Sequence, residues 1–375
     1  MRIELKLADT FNKTRELLTR PEYVTDRTGS QLYVSRYGDE LFNVAVGARA
    51  ERSPMSVTSR VIWLCCSKPV LVIPLFRAFA DAGISECEPV ATFIPEFANA
   101  GKGTVALYHL LTHTVPYCSL GIIWDGEQTL ARGERMVMAP PWEMAIKTIC
   151  EMPLTAPPGE AVTYTPATNW MMLAEILERL TGRPHEDAVR AQALDPLGME
   201  HTSVYVTDHN VDALEHAPMW DLDENGEPRV EEVDTWPMIF GRWPGLACRG
   251  PARDMARPVE CVAGWRHPEA LDDAWRAKLL ETRRSDLADP TMYGAEILWS
   301  LGLCVDPVRF GLPMSTRVVG HTGERSSMVF ADRDTGITIS FLSSGLVSDA
   351  TDLMRKRSVV RAVYGDLDLP LRGRR

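Results

Sequence analysis

The chain has little lysine. Only seven of its 40 basic residues are lysines, at positions 6, 13, 68, 102, 147, 278 and 356; arginine supplies the rest. It also lacks a positive balance, with a formal net charge of -11 at pH 7. Nucleic-acid affinity rests largely on clustered Lys and Arg, so a nucleic-acid partner is excluded and a small-molecule partner is expected. The eight cysteines (65, 66, 87, 118, 150, 248, 261 and 304) show no paired metal-ligand spacing, and the adjacent pair is poorly placed for bridging. They read as reduced thiols, with no metal and no cofactor implied. The longest apolar run, about residues 61 to 80, is broken by Lys68, Pro69 and Pro74 and is too short to span a bilayer, so no membrane partner is expected. The start, Met1 to Asp9, has a charge every second or third residue and no apolar signal core, which sets a cytoplasmic expectation. What is present is ample apolar material, 45% of 375 residues, enough for a real core. Nothing in the sequence fixes the oligomeric state.

Against that scarcity, one lysine stands inside an apolar run, Val61-Ile62-Trp63-Leu64-Cys65-Cys66-Ser67-Lys68-Pro69-Val70. Arginine stays charged in a protein, whereas a buried lysine shifts its pKa readily and can serve as a base. Lys68 is therefore a candidate base and Cys65 its nucleophile. Pro69 is tolerated mainly in the first turn of a helix, which places Cys65 at a helix N-terminus. There the dipole and unpaired backbone N-H groups stabilise a thiolate, and Lys68, three residues on, faces the same side. The plainer reading of Cys65 is a buried structural thiol.

Residues 8 to 19 read as an amphipathic helix ended by Pro21. Residues 31 to 47 hold two β-favouring runs around Gly38-Asp39, a hairpin. His109 and His113 stand four apart and on a helix could bind zinc, but no third ligand with suitable spacing follows. They read as a packed helix end. A loop from Pro157 carries Tyr164 and leads into a helix over Met171 to Thr181, closed by Gly182. Near the C-terminus, the runs Arg317 to Gly323, Ser327 to Asp332 and Gly336 to Leu342 form an antiparallel meander, followed by an amphipathic helix near 350 to 364. The region from about 205 to 245 is acidic, with Asp221, Asp223, Glu224, Glu231, Glu232 and Asp234 among Trp220, Trp236 and Trp243. It reads as a solvated loop packing its aromatics, or as a cleft wall touching a substrate. Hairpin, helices, meander and final helix give an α+β order.

Several fragments, taken together and in order over about residues 30 to 345, carry a resemblance. They are Cys65-x-x-Lys68, Pro95-Glu96-Phe97, Leu110-Leu111-Thr112-His113-Thr114, Pro158-Gly159 before Tyr164, Glu178-Arg179-Leu180-Thr181-Gly182, Pro196-Leu197-Gly198-Met199 and Gly320-His321-Thr322-Gly323. The chain resembles the serine β-lactamase and penicillin-binding-protein-like family, particularly its class C β-lactamase and family VIII esterase branch, with Cys in place of the nucleophilic Ser. The resemblance implies a β-lactamase/transpeptidase-like fold, an antiparallel sheet flanked by helices with an inserted mainly helical region. Residues 1-375 would form one catalytic unit, with 1-64 and 298-375 as the α/β region, 65-297 as the helical region and the site in the cleft between them. Carried over residue by residue, Cys65 resembles the nucleophile, Lys68 its base and Tyr164 the proton shuttle. His321 takes the place of the lysine in Lys-Thr-Gly. The oxyanion hole would be the backbone N-H groups of Cys65 and Glu324, with Thr322, Gly323 and Trp170 against the substrate.

Three departures qualify that picture. Tyr164-Thr165-Pro166 replaces Tyr-x-Asn, and proline has no side-chain amide to hold a substrate's acylamino group; Asn169, three residues later, need not substitute. His321-Thr322-Gly323 replaces a fixed cation with a group mostly neutral at pH 7, so β-lactam hydrolysis is not expected. A Cys65 nucleophile would pass through a thioester, which amines attack in marked preference to water. The leading expectation is an ATP-independent transacylase of secondary metabolism, moving an acyl group from an ester or thioester donor to an amine or alcohol acceptor. The alternatives are an esterase or amidase with the same intermediate, and a non-catalytic binding module, against which Lys68 and Tyr164 both weigh.

Overall fold

The strands of the main sheet come from both ends of the chain. In the computed structural model, which describes residues 10–50, 53–117, 141–205, 216–223, 226–227, 242–284, 287–289, 296–306 and 311–372, these strands are β1 (Gly29–Arg36), β2 (Asp39–Ala50), β3 (Ser53–Pro54), β4 (Val318–Gly323), β5 (Ser327–Asp332) and β6 (Ile337–Ser343). The order across the sheet is β3-β2-β1-β6-β5-β4, every pair antiparallel. The expected hairpin is β1-β2, and its turn residues Tyr37 and Gly38 both have positive φ (51° and 84°), the geometry whose twist matches a two-residue connection. The expected meander is β4-β5-β6. Leu32 opposite Phe341 and Val34 opposite Ile339 join the two halves at the centre.

Both faces of this sheet are covered, and the alternation of side chains sorts residues between them. Leu32, Val34, Val318, Met328, Phe330, Ile339 and Phe341 pack on one face with α1 (Asn12–Leu18) and the last helix. Tyr33, Val319, Val329, Ala331 and Leu342 pack on the other, toward the helical half. His321 lies two residues beyond Val319 and so shares that inner face, a placement that follows from strand periodicity alone.

On the inner side lie α2 (Lys68–Ala82), α3 (Leu107–Leu111), α4 (Thr168–Thr181) and α5 (Ala252–Val262); α6 (Asp349–Asp366) closes the outer side with α1. α2 is apolar almost all round, as a helix buried on every side must be. Gly83 ends it at φ 67°, with the Ile84 amide donating to the Phe79 carbonyl at 2.9 Å. α6 buries Val359, Val360, Val363 and Tyr364, each burial contributing on the order of 1.5–3 kcal/mol. The N-terminal helix spans residues 12 to 18, shorter than the 8 to 19 expected, with residues before 10 outside the described set. Of the acidic stretch, Trp220-Asp221 pairs with Gly345-Leu346 and Trp243 is buried; Glu224, Glu231, Glu232, Asp234 and Trp236 lie outside the described residues.

Candidate active site

Cys65 is delivered by a short, tightly fixed piece of backbone. Val61-Ile62 pairs with Gly250-Arg249, and the Trp63 amide and indole N-H donate to the carbonyls of Cys248 (2.9 Å) and Gly250 (2.8 Å). Leu64 then adopts φ 51°, a left-handed conformation that costs an ordinary residue about 1–3 kcal/mol and is sustained here by burial. A single 3-10 turn, Leu64–Ser67, runs directly into α2, whose first residue is Lys68. The first N-H groups of such a turn, among them the Cys65 amide, have no partner within it. Pro69 falls in the first turn of α2, where its missing N-H is harmless, as the sequence predicts.

Lys68 is wholly buried. Its Nζ donates to the Gly245 carbonyl at 3.1 Å and lies 5.4 Å from the ring centroid of Tyr164 and 5.8 Å from that of Trp170. Burial lowers its pKa from the ordinary lysine value, while the adjacent Cys65 sulfur, by charge and hydrogen bonding, acts to raise it. Burial also pushes the Tyr164 hydroxyl well above the usual phenol value; the same sulfur adds to that shift through its charge and a hydrogen bond. One thiol thus acts electrostatically on one buried amine and one buried phenol. Cys66, by contrast, turns into the core: its Sγ donates to the His321 carbonyl at 3.4 Å, and burial lifts its pKa to about 12. A group so hard to ionise is structural.

His321 follows Gly320 on β4, the edge strand of the sheet. Its Nδ1 lies 2.6 Å from the Thr322 carbonyl, an acceptor, so the ring proton sits on Nδ1 and Nε2 keeps a lone pair. That Nε2 is buried and has no hydrogen-bond partner among the described residues. Burial, with the Lys68 charge second, brings the His321 pKa down to about 3, so the ring is neutral throughout the physiological range. Thr322 is half-buried, and Gly323 is required sterically: a Cβ there would lie 2.0 Å from Ser327 Oγ and 2.6 Å from the Trp63 carbonyl. Glu324 is exposed in the turn that follows.

Two further side chains complete the surroundings of Tyr164. His113 and Trp299 lie 4.5 and 5.7 Å from it by ring centroid, Trp299 stacked, and His321 lies 6.2 Å away. His113 is not on a helical face with His109. α3 ends at Leu111, His113 has φ 56°, and His109 Nδ1 instead accepts from the Ala106 amide at 2.9 Å. The His113 carbonyl accepts from the Thr163 amide (3.1 Å), and its Nδ1 from the Thr165 amide (3.4 Å) and Asn169 Nδ2 (3.3 Å). It therefore grips the chain on both sides of Tyr164. Asn169 Nδ2 also donates to the Leu110 carbonyl at 3.0 Å, so this side chain serves the fold rather than standing in for the missing Tyr-x-Asn amide.

Trp170, expected against the substrate, is wholly buried instead. It packs beside Lys68, where Gly245 and Gly302 approach its ring closely, and so forms the floor under the lysine. The reason is position: Trp170 is the third residue of α4, on the side turned into the inner core. His113 was legible in the sequence as half of a histidine pair and as part of the Leu110 to Thr114 fragment, with no role assigned to it, and Trp299 and Gly245 carried no signal at all. Among the described residues, one trio could ligate a metal, Glu178, His185 and Glu186, and the Arg242 guanidinium already bonds both carboxylates. Also among the described residues, no helix is long and apolar enough to cross a membrane.

With this geometry in place, comparison with known proteins is informative. The Beta-lactamase family profile matches residues 17–364. The chain belongs to that family, and it is a β-lactamase-like enzyme. Esterase EstB of Burkholderia gladioli is 25% identical over 353 residues, covering 84% of this chain and 86% of that protein. Among solved structures, EstCE1, described as a hydrolase with promiscuous acyltransferase activity, superposes with a TM-score of 0.75 at 20% identity, covering 96% of this chain and 100% of that one. A mutant of simvastatin synthase (LovD) from Aspergillus terreus gives 0.73 at 16% identity, covering 97% of each chain. The two structures share the β-lactamase/transpeptidase-like fold expected from the sequence.

Proposed function

We propose that this protein transfers an acyl group from an ester or thioester donor, through a thioester on Cys65, to an amine or alcohol acceptor. The observation that carries the reading is a wholly buried Lys68, three residues from Cys65, whose Nζ lies 5.4 Å from the Tyr164 ring centroid, with the Cys65 sulfur acting electrostatically on both groups. Neutral Lys68 takes the thiol proton as the sulfur attacks the donor carbonyl. The N-H groups of Cys65 and Glu324 hold the resulting oxyanion. Collapse expels the donor's leaving group, which receives the proton by way of Tyr164 and departs. The acceptor then attacks the thioester, passes its proton back along the same route, and leaves as the ester or amide, restoring the Cys65 thiol.

The neutral His321 supports a particular substrate class. A lone pair on a buried Nε2 accepts a hydrogen bond and repels a carboxylate, so the donor or acceptor offers an N-H or O-H there rather than an anion. Hydrolysis is the second reading, favoured by the name of the relative EstB. Sulfur favours transfer because thioesters react with amines in preference to water. ATP-independent exchange of this kind fits a role in secondary metabolism.

The test is intact-mass spectrometry after mixing the protein with a panel of activated esters, with and without amine acceptors. An adduct absent from Cys65→Ala and released faster by amine than by buffer supports transfer. Release at equal rates with and without amine supports hydrolysis. No adduct, with Cys65 no more alkylatable than the other thiols, removes both.

A further inference from the structure

The turn that follows β4 is gripped from the far side of the sheet by two cations on α6. Lys356 Nζ donates to the Gly323 carbonyl at 2.9 Å, and Arg355 donates to the Arg325 carbonyl at 2.7 Å. These are the carbonyls on either side of Glu324. Both cations are buried and share one carboxylate, Asp352, at 2.5 Å from Lys356 and 3.0 Å from Arg355. Arg355 also donates to Ser343 Oγ and the Gly345 carbonyl, each at 3.1 Å, while Arg325, at φ 50°, pairs with Asp221 at 3.1 Å. The turn is thus fixed at each end by a charged group.

The Gly323 carbonyl and the Glu324 N-H belong to one peptide unit. In a trans peptide, C=O and N-H point in opposite directions, and the described residues contain no cis bond. A carbonyl aimed at Lys356 on α6 therefore aims its N-H away from α6, toward the outer edge of β4, where the Trp63 to Ser67 segment lies against the strand. A cation on the carbonyl oxygen both holds the plane in that orientation and draws electron density from the nitrogen, which makes the N-H a stronger donor.

We infer that Lys356, with Asp352 orienting it, is a positioning residue that fixes and polarises the Gly323–Glu324 peptide so that its N-H can stabilise an oxyanion formed at Cys65. This rests on the acyl-transfer reading above. Lys356 touches no substrate; it acts through the peptide.

The experiment compares Lys356→Met, Lys356→Gln and Lys356→Arg with the unaltered protein in single-turnover acylation by an activated thioester. Alkylation of Cys65 by iodoacetamide is measured in parallel, since that displacement builds no oxyanion. Losing a whole oxyanion donor costs about 100- to 1,000-fold, so weakening one predicts a fall of roughly 10- to 100-fold in acylation for the methionine variant. The glutamine variant, which keeps a neutral donor, falls less, and the arginine variant retains most of the rate. Alkylation and substrate affinity stay near the unaltered values. In the infrared, the thioester carbonyl stretch of the acyl-enzyme moves to higher frequency in Lys356→Met; Lys356→Gln provides the same reading should the methionine variant fail to fold. Unchanged acylation in a folded Lys356→Met or Lys356→Gln protein, or equal losses of acylation and alkylation, overturns the inference. If the unaltered protein alkylates at Cys65 yet is acylated by no ester, the acyl-transfer reading itself falls and takes this inference with it.

Discussion

Lys68 and Gly245 are bound to each other across 177 residues of sequence: the Lys68 ammonium donates to the Gly245 carbonyl at 3.1 Å, and a Cβ on Gly245 would come within 3.0 Å of the lysine's own Cγ. The residue best placed to act as base is thus held by a glycine from the middle of the chain. Gly245 has φ 78°, and Trp170 lies as close as Lys68 does. Gly245→Ala would strain the backbone by about 1–2 kcal/mol and displace Lys68. The expected outcome is a lower denaturation midpoint together with slower acylation of Cys65, followed by urea titration and intact mass. A variant that loses stability but acylates at the original rate would separate Gly245 from the lysine's placement.

Lys68→Ala should slow acylation by about 100- to 10,000-fold, the usual worth of a positioned proton-transfer group. Lys68→Arg should not restore it, because guanidinium cannot give up its proton. In the unaltered protein the acylation rate should climb as pH rises through the Lys68 pKa, which burial sets below the ordinary lysine value of 10.5. The sign follows from the role: only the neutral amine can take the thiol proton. An active arginine variant would exclude Lys68 as the base.

Cys65→Ser offers a direct comparison of sulfur with oxygen at one position. The serine variant should form an oxygen ester that divides more evenly between amine and water, so its amide-to-acid product ratio should fall relative to the cysteine enzyme. Product analysis by chromatography at fixed amine concentration reads this ratio. An unchanged ratio would mean that the cleft, rather than the sulfur, selects the acceptor.

His321 should make the protein sensitive to mild acid. Its folded pKa is about 3 against 6.5 in the unfolded chain, so between those values the unfolded state binds a proton that the folded state does not. Stability from this group is complete above pH 6.5 and declines as pH falls toward 3, by at most about 1.4 kcal/mol per pH unit. His113 is displaced in the same direction by its burial and adds to the trend. Urea midpoints at pH 6.5 and pH 5 should therefore differ more for the unaltered protein than for His321→Gln. Equal differences would show that His321 titrates normally in the folded state.

Much of the fold was legible because it is written locally. The β1-β2 hairpin, the β4-β5-β6 meander, the helix closed by Gly182 and the helix near residues 350 to 364 each declare themselves through side-chain period and turn residues. The site was legible where it lies in contiguous motifs, Cys65 with Lys68 and His321 with Thr322 and Gly323. It was illegible where a residue matters only for what it meets. Trp299 is one tryptophan among ten until it stacks on Tyr164. His113 reads in the sequence as part of a packed helix end with His109, but the helix stops at Leu111 and His113 itself turns left-handed.

Lysine scarcity reached further than its first use. Of the six lysines among the described residues, Lys68, Lys102 and Lys356 are buried, and all three donate to backbone carbonyls. The sequence by itself singled out Lys68, a lysine inside an apolar run, and it determined the α+β order and the spacing of the reactive pair. Only the tertiary structure decided what each lysine holds: the carbonyl partners of Lys68 and Lys356 come from Gly245 and Gly323, far along the chain. A hydrogen bond between distant residues depends on how the chain closes on itself, and no local pattern encodes that.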